Sequence, residues 1–109
     1  MATKRKLIDE MNQIRDYFRR HSENDPLFIP QYQIAKQIND IVNDCDRLEI
    51  AEVKEIIRIF NTIIDTNYDN RSGWTDYQMH LTAVMKMDGF RTDWDNLGRF
   101  VINVGEQKI

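Results

Sequence analysis

The strongest pattern in the sequence is a run of apolar residues at helical spacing over residues 49–67. At 100° per residue these side chains cover an arc of about 180°, which is wider than a surface helix requires. The arc consists of Val53, Ile56, Ile57, Phe60, Ile63 and Ile64, and is widened by Ile50 and Ile59. Many of these residues are β-branched and lower the intrinsic helicity, so tertiary packing must stabilise the segment. The pattern predicts a central helix of a bundle.

Three other segments have apolar stripes at the same spacing, and they predict helices at 4–21, 30–44 and 74–88. Pro30 suits the first turn of the second of these helices, and Gly89 is placed to end the last one. The stripes contain Leu7, Met11, Ile14 and Phe18 in the first, Ile34, Ile38, Ile41, Val42 and Cys45 in the second, and Tyr77, Leu81, Val84 and Met85 in the last.

The C-terminal segment is ambiguous. Trp94, Leu97, Val101 and Val104 are helically spaced, whereas Phe100 to Val104 also has strand propensity. A lone strand would lack an edge to pair with unless it paired between subunits. We therefore favour a short fifth helix over 93–104.

Two Pro and four Gly in 109 residues favour long regular elements over turn-rich β structure. The fold class predicted is all-α: residues 1–109 form a single domain, a compact bundle of four to five helices. We expect the third and fourth helices to be central, with the first and second packed against them.

A cytoplasmic location is expected. The single cysteine excludes an internal disulfide, and no run of apolar residues approaches a membrane span. Lys4, Arg5 and Lys6 are followed by Asp9 and Glu10 instead of the apolar core of a secretion signal. No membrane contact and no cofactor are predicted.

The charges are divided unevenly along the chain. Residues 1–21 carry six basic and three acidic side chains, whereas the remainder carries nine basic and fifteen acidic ones. Such asymmetry usually concerns what a protein binds. The acidic side chains concentrate at Asp40, Asp44, Asp46, Glu49, Glu52 and Glu55. This pattern favours a surface that docks on a basic site of another protein.

Two apolar features could add to such a surface. One is the loop of Leu27, Phe28 and Ile29, and the other is a second stripe on the fourth helix that contains Met79, Ala83 and Met87. The second stripe also makes a homo-oligomer a reasonable hypothesis.

The alternative hypothesis is a DNA- or RNA-binding module that uses the basic N-terminal helix. Phosphate binding requires a basic patch, which would consist of Lys4, Arg5, Arg15, Arg19 and Arg20. Asp9 and Asp16 interrupt this patch, and the rest of the chain is acidic.

A third hypothesis is a calcium-responsive helix pair. Asp65, Asn67, Asp69 and Asp76 occupy positions 1, 3, 5 and 12 of a loop between two predicted helices, as in an EF-hand. The loop departs from that pattern, with Asn70 at position 6, where glycine makes the turn, and Ser72 at position 8. An ordinary polar turn uses the same residue types.

Neither a catalytic group nor a metal-ligand set stands out. His80 falls within the broad apolar arc of the fourth helix, where Asp76 could orient its ring. Cys45 lies between Asp44 and Asp46, which raise a thiol pKa and so oppose nucleophilic reactivity. The sequence therefore favours a non-catalytic binding protein, such as an accessory inhibitor, an immunity protein or an adaptor.

Overall fold

A computed structural model of the chain describes residues 3–66, 74–94 and 100–102. These residues form an all-α bundle with a short antiparallel strand pair, which confirms the predicted fold class. The helices are α1 (Lys4–Ser22), α2 (Phe28–Asp44), α3 (Ile50–Thr66) and α4 (Trp74–Met87), followed by strands β1 (Thr92–Trp94) and β2 (Phe100–Ile102). All four predicted helices are confirmed, with ends that differ by no more than two residues from those expected from the sequence.

Local hydrogen bonds set several of the helix ends. The Oγ1 of Thr3 accepts the backbone N–H of Lys6 and caps α1. The side chain of Glu52 accepts the backbone N–H of Glu49, which forms half of a capping box at the start of α3. Gly89 ends α4 as predicted, because its φ of +95° is a backbone conformation that glycine adopts without strain.

The packing order differs from the one expected. Among the described residues, α1 packs along both α2 and α4, and α2 packs along both α1 and α3. The expectation that α3 and α4 are the central helices was therefore wrong. The apolar stripe of α1 is narrow, but polar side chains beside the stripe also lie in the contacts between α1 and its neighbouring helices. The apolar periodicity alone therefore underestimated how much of the surface of α1 is packed.

The predicted helix over 93–104 was wrong. Thr92 pairs with Ile102 and Trp94 pairs with Phe100 in an antiparallel ladder within one chain. The strand propensity of Phe100, Val101 and Ile102 decides the outcome, because β1 supplies the edge that a lone strand lacks. The strands contact the helices, β1 against α4 and β2 against α3.

A polar contact in the core joins three helices at one residue. Asn39 of α2 is 1% exposed, and its amide donates to the carbonyl oxygen of Met11 in α1 at 3.0 Å. The phenol of Tyr77 in α4 donates to Oδ1 of the same Asn39 at 2.5 Å. Burial raises the pKa of Tyr77 well above its usual value, although Arg15 opposes the shift, so the phenol remains a donor.

Asp88 anchors one end of the bundle. Its carboxylate is 7% exposed and binds the ammonium of Lys4 at 2.7 Å and the backbone N–H of Leu48 at 2.8 Å. The Lys4 ammonium also donates to the carbonyl of Asp46. In addition, Arg47 donates to the carbonyl oxygen of Asp88. One residue thus ties the start of α1 and the α2–α3 turn to the end of α4.

Replacing Asp88 by alanine is expected to lower the free energy of unfolding by about 3 kcal/mol, because it removes the counterion of the Lys4 ammonium and the acceptor of the buried Leu48 N–H. Asp40→Ala is the matched control. Asp40 is exposed and pairs with Lys36 on the same helix, so its loss should cost about 0.5 kcal/mol or less. Urea denaturation of both variants measures the difference, and equal losses would contradict the anchoring role of Asp88.

Candidate functional site

The acidic residues predicted to bind a partner span the end of α2, the α2–α3 turn and the first turns of α3. Some of them are engaged within the chain. The carboxylate of Asp40 lies 3.3 Å from the ammonium of Lys36, and that of Glu55 lies 2.6 Å from Nε of Arg58. Glu52 caps α3. Asp44, Asp46 and Glu49 are exposed and lie within six residues of one another.

The pKa of Cys45 is affected by the acidic side chains of this turn. Burial raises the pKa of its thiol, and the carboxylates of Glu52, Asp44 and Asp46 raise it further, whereas Lys4 opposes them. The thiol therefore remains protonated near neutral pH, which agrees with the expectation that it is not an activated nucleophile.

The basic residues proposed for nucleic-acid binding are partly occupied by nearby acids. Lys4 binds Asp88, Arg15 lies 3.3 Å from Asp16, and Arg19 lies 3.6 Å from Glu23. Arg5 and Arg20 are exposed at opposite ends of α1, about 22 Å apart along the helix. The basic start of α1 lies on the acidic turn, so part of the charge asymmetry is matched within the molecule.

The outer face of α4 carries the second predicted apolar stripe. Met79 is 58% exposed, Met87 is 48% exposed and Ala83 is half-buried. A largely apolar groove of about 330 Å³ is lined by Met79, Thr82, Ala83 and Lys86. A second hollow of about 200 Å³ shares Met79 and is bordered by Leu7, Asp76 and His80. The face therefore presents an apolar depression along the helix.

The loop predicted to present Leu27, Phe28 and Ile29 is only partly exposed. Leu27 and Ile29 are accessible, but Phe28 is 9% exposed and its ring contacts those of Phe18 and His21. The prediction that Phe28 is exposed for partner binding was therefore wrong. The reason is that α2 begins two residues before Pro30, which directs the ring of Phe28 into the core.

His80 joins α4 to α1 in a contact that the sequence did not reveal. Its Nδ1 lies 2.7 Å from the carbonyl oxygen of Asp76, as the spacing suggested, and its Nε2 lies 2.5 Å from Oε2 of Glu10. Burial alone would lower the pKa of His80, but the hydrogen bonds to the Asp76 carbonyl and to Glu10 outweigh it and raise the pKa. Both ring nitrogens donate only in the protonated ring. Glu10 is 70 positions away, so no local pattern could indicate it.

The calcium hypothesis falls largely outside the described residues. Asp65 lies in the last turn of α3 and Asp76 in the first turn of α4, so the loop is flanked by helices as predicted. Asn67 and Asp69 are among the residues that the structure does not describe. Within residues 3–66, 74–94 and 100–102, no group of three or more acidic, histidine or cysteine side chains is arranged to hold a metal ion. The loop stays a prediction.

No protein-family model, curated protein or solved structure matches this chain. Within the part of the chain that the structure describes, no helix has both the length and the apolar character to cross a membrane. The surfaces themselves are therefore the basis for a functional proposal.

The pair of His80 and Glu10 predicts a pH-dependent stability. Since the pKa of His80 is raised in the folded state, the stabilisation is fully present below the unfolded value of 6.5 and is lost as pH rises through the folded pKa. Urea denaturation from about pH 5.5 to about pH 8.5 should show that Glu10→Gln destabilises the protein mainly at the acidic end.

The matched control is Asp9→Asn, which removes the neighbouring exposed carboxylate. NMR titration of the His80 ring should give a lower pKa in Glu10→Gln than in the wild type and little change in Asp9→Asn. An equal shift in both variants would show that general charge, not the contact with Glu10, sets the pKa.

Proposed function

We propose that this protein is a non-catalytic protein-binding module that docks the acidic α2–α3 turn onto a basic surface of another protein. We define the acidic end as Asp44, Asp46 and Glu49. An accessory inhibitor, an immunity protein or an adaptor works in this way. Action in the cytoplasm is part of the proposal, and the single, protonated thiol of Cys45 suits a reducing compartment.

The exposure of the acidic end is the observation that carries the proposal. These three carboxylates face solvent, whereas the nearby ammonium of Lys4 is directed to Asp88 and to the carbonyl of Asp46. Arg47 is exposed, but its guanidinium donates to the backbone of Asp88. Lys4 and Arg47 are therefore held by the bundle, while the three carboxylates remain available. Arg5 also borders the turn and is exposed.

An exposed apolar side chain adjoins the acidic end. Ile50 follows Glu49 directly and is 45% exposed, although it lies at the first residue of α3. Interfaces commonly combine an apolar centre with a charged rim, and the charges mainly increase the association rate and the specificity. The turn offers both components within seven residues.

The anchor at Asp88 supports the same proposal. Because the Leu48 N–H and the Arg47 guanidinium both bind Asp88, the turn is held in one conformation before a partner arrives. A preorganised surface loses less conformational entropy on binding. The acidic end can therefore act as a rigid docking site.

Neutralising the acidic end should abolish binding without unfolding the bundle. The variant is Asp44→Asn/Asp46→Asn/Glu49→Gln, and the control Asp9→Asn/Asp16→Asn/Glu23→Gln changes the net charge equally on α1 and just beyond its C-terminal end. Each protein is immobilised, exposed to lysate of its native host, and its captured proteins are quantified by mass spectrometry. The expected partner is a basic protein that the wild type and the control retain and the variant loses.

Kinetics with the captured partner then test the mechanism. Charge steering predicts that the variant loses roughly tenfold or more in association rate, and that added salt slows the wild type toward the variant. If no protein is retained selectively, or if the association rate is independent of salt, the proposed docking surface is wrong.

A further inference from the structure

The outer face of α4 has a charge and size pattern that is complementary to itself. Asp76 lies in the first turn and Lys86 in the last turn of the helix, with Met79 and Ala83 between them. Asp76 is mostly exposed, and its Oδ1 is 3.5 Å from Nδ1 of His80. Lys86 is exposed and borders the apolar groove.

We propose that two copies of this chain associate through α4, packed antiparallel about a twofold axis at the level of Leu81. This inference concerns a different surface from the acidic end and goes beyond the proposed function.

In this arrangement, helix geometry places a large side chain of one copy against a small side chain of the other, and an acidic side chain against a basic one. An antiparallel pair centred on position 81 sets Met79 against the partner's Ala83 and Asp76 against the partner's Lys86, and each contact occurs twice. The small Ala83 side chain permits the close approach that a helix pair needs, and the methionine fills the groove beside it. A parallel pair would instead place each side chain against its own copy, so that like charges meet.

The size of the face sets the strength of the association. A helix of 14 residues is about 21 Å long, and one such face contributes less than the surface that a permanently stable dimer buries. The dimer should therefore be concentration-dependent, with a dissociation constant on the order of 10–100 µM.

Analytical ultracentrifugation of the full chain over this concentration range is the test. The wild type should shift from monomer to dimer as the concentration rises. Ala83→Arg should remain monomeric, because the bulky cation occupies the space that the partner's Met79 would fill. Met79→Lys changes a more exposed position and serves as a second disrupting variant, and circular dichroism verifies the fold of each. Leu27→Lys alters an equally exposed apolar residue at the α1–α2 loop and should dimerise like the wild type.

A charge exchange distinguishes the antiparallel arrangement from other dimers. Lys86→Glu sets acid against the partner's Asp76 and should weaken dimerisation by about three- to tenfold, whereas Asp76→Lys/Lys86→Glu should restore it. The two residues are about 15 Å apart along one helix, so a restored dimer requires a contact between chains. A wild type that stays monomeric throughout the range, or a double variant that is not restored, would overturn the proposal. Neither result would affect the acidic end.

Discussion

The bundle depends on a buried carboxylate at the point where three segments of the chain converge. Asp88 lies just beyond α4, yet it binds the first residue of α1 and the backbone of the α2–α3 turn. A charge with little contact to water is tolerated only where an opposite charge and hydrogen-bond donors surround it. The Lys4 ammonium and the Leu48 N–H meet that requirement. Through these contacts the end of α4 also determines how the turn between α2 and α3 is presented to solvent.

This arrangement explains part of the uneven distribution of charge along the sequence. The basic start of α1 lies against the acidic turn, so the two oppositely charged parts of the chain meet at one end of the bundle. Lys4 is engaged there, and Arg15 and Arg19 face acids close to them in sequence. The asymmetry therefore contributes to the fold as well as to the surface. Asp44, Asp46 and Glu49 face solvent at this end of the bundle.

Apolar periodicity predicted the helices well, because each helix must bury one face against the others. Polar contacts between distant segments could not be predicted in the same way. Lys4 and Asp88 are 84 positions apart, and Glu10 and His80 are 70 apart, so neither pair leaves a local pattern. The strand pair of β1 and β2 was missed for a related reason: Phe100 to Ile102 favours a strand only when a partner strand is present. The acidic and α4 surfaces were predicted from the sequence, whereas the burial of Phe28 depended on where α2 begins.

The polar contact at Asn39 has a consequence for the outside of the molecule. Its amide and the Tyr77 phenol find their partners in only one alignment of α1, α2 and α4, because a slip of one helical turn would leave both groups buried without hydrogen bonds. Apolar side chains alone would tolerate several such alignments. The core hydrogen bonds thus fix the relative height of the three helices. They also fix the distance between the acidic turn at the end of α2 and the apolar groove of α4. For a ligand large enough to touch both surfaces, the separation of the two contacts is therefore determined by the hydrogen bonds in the core.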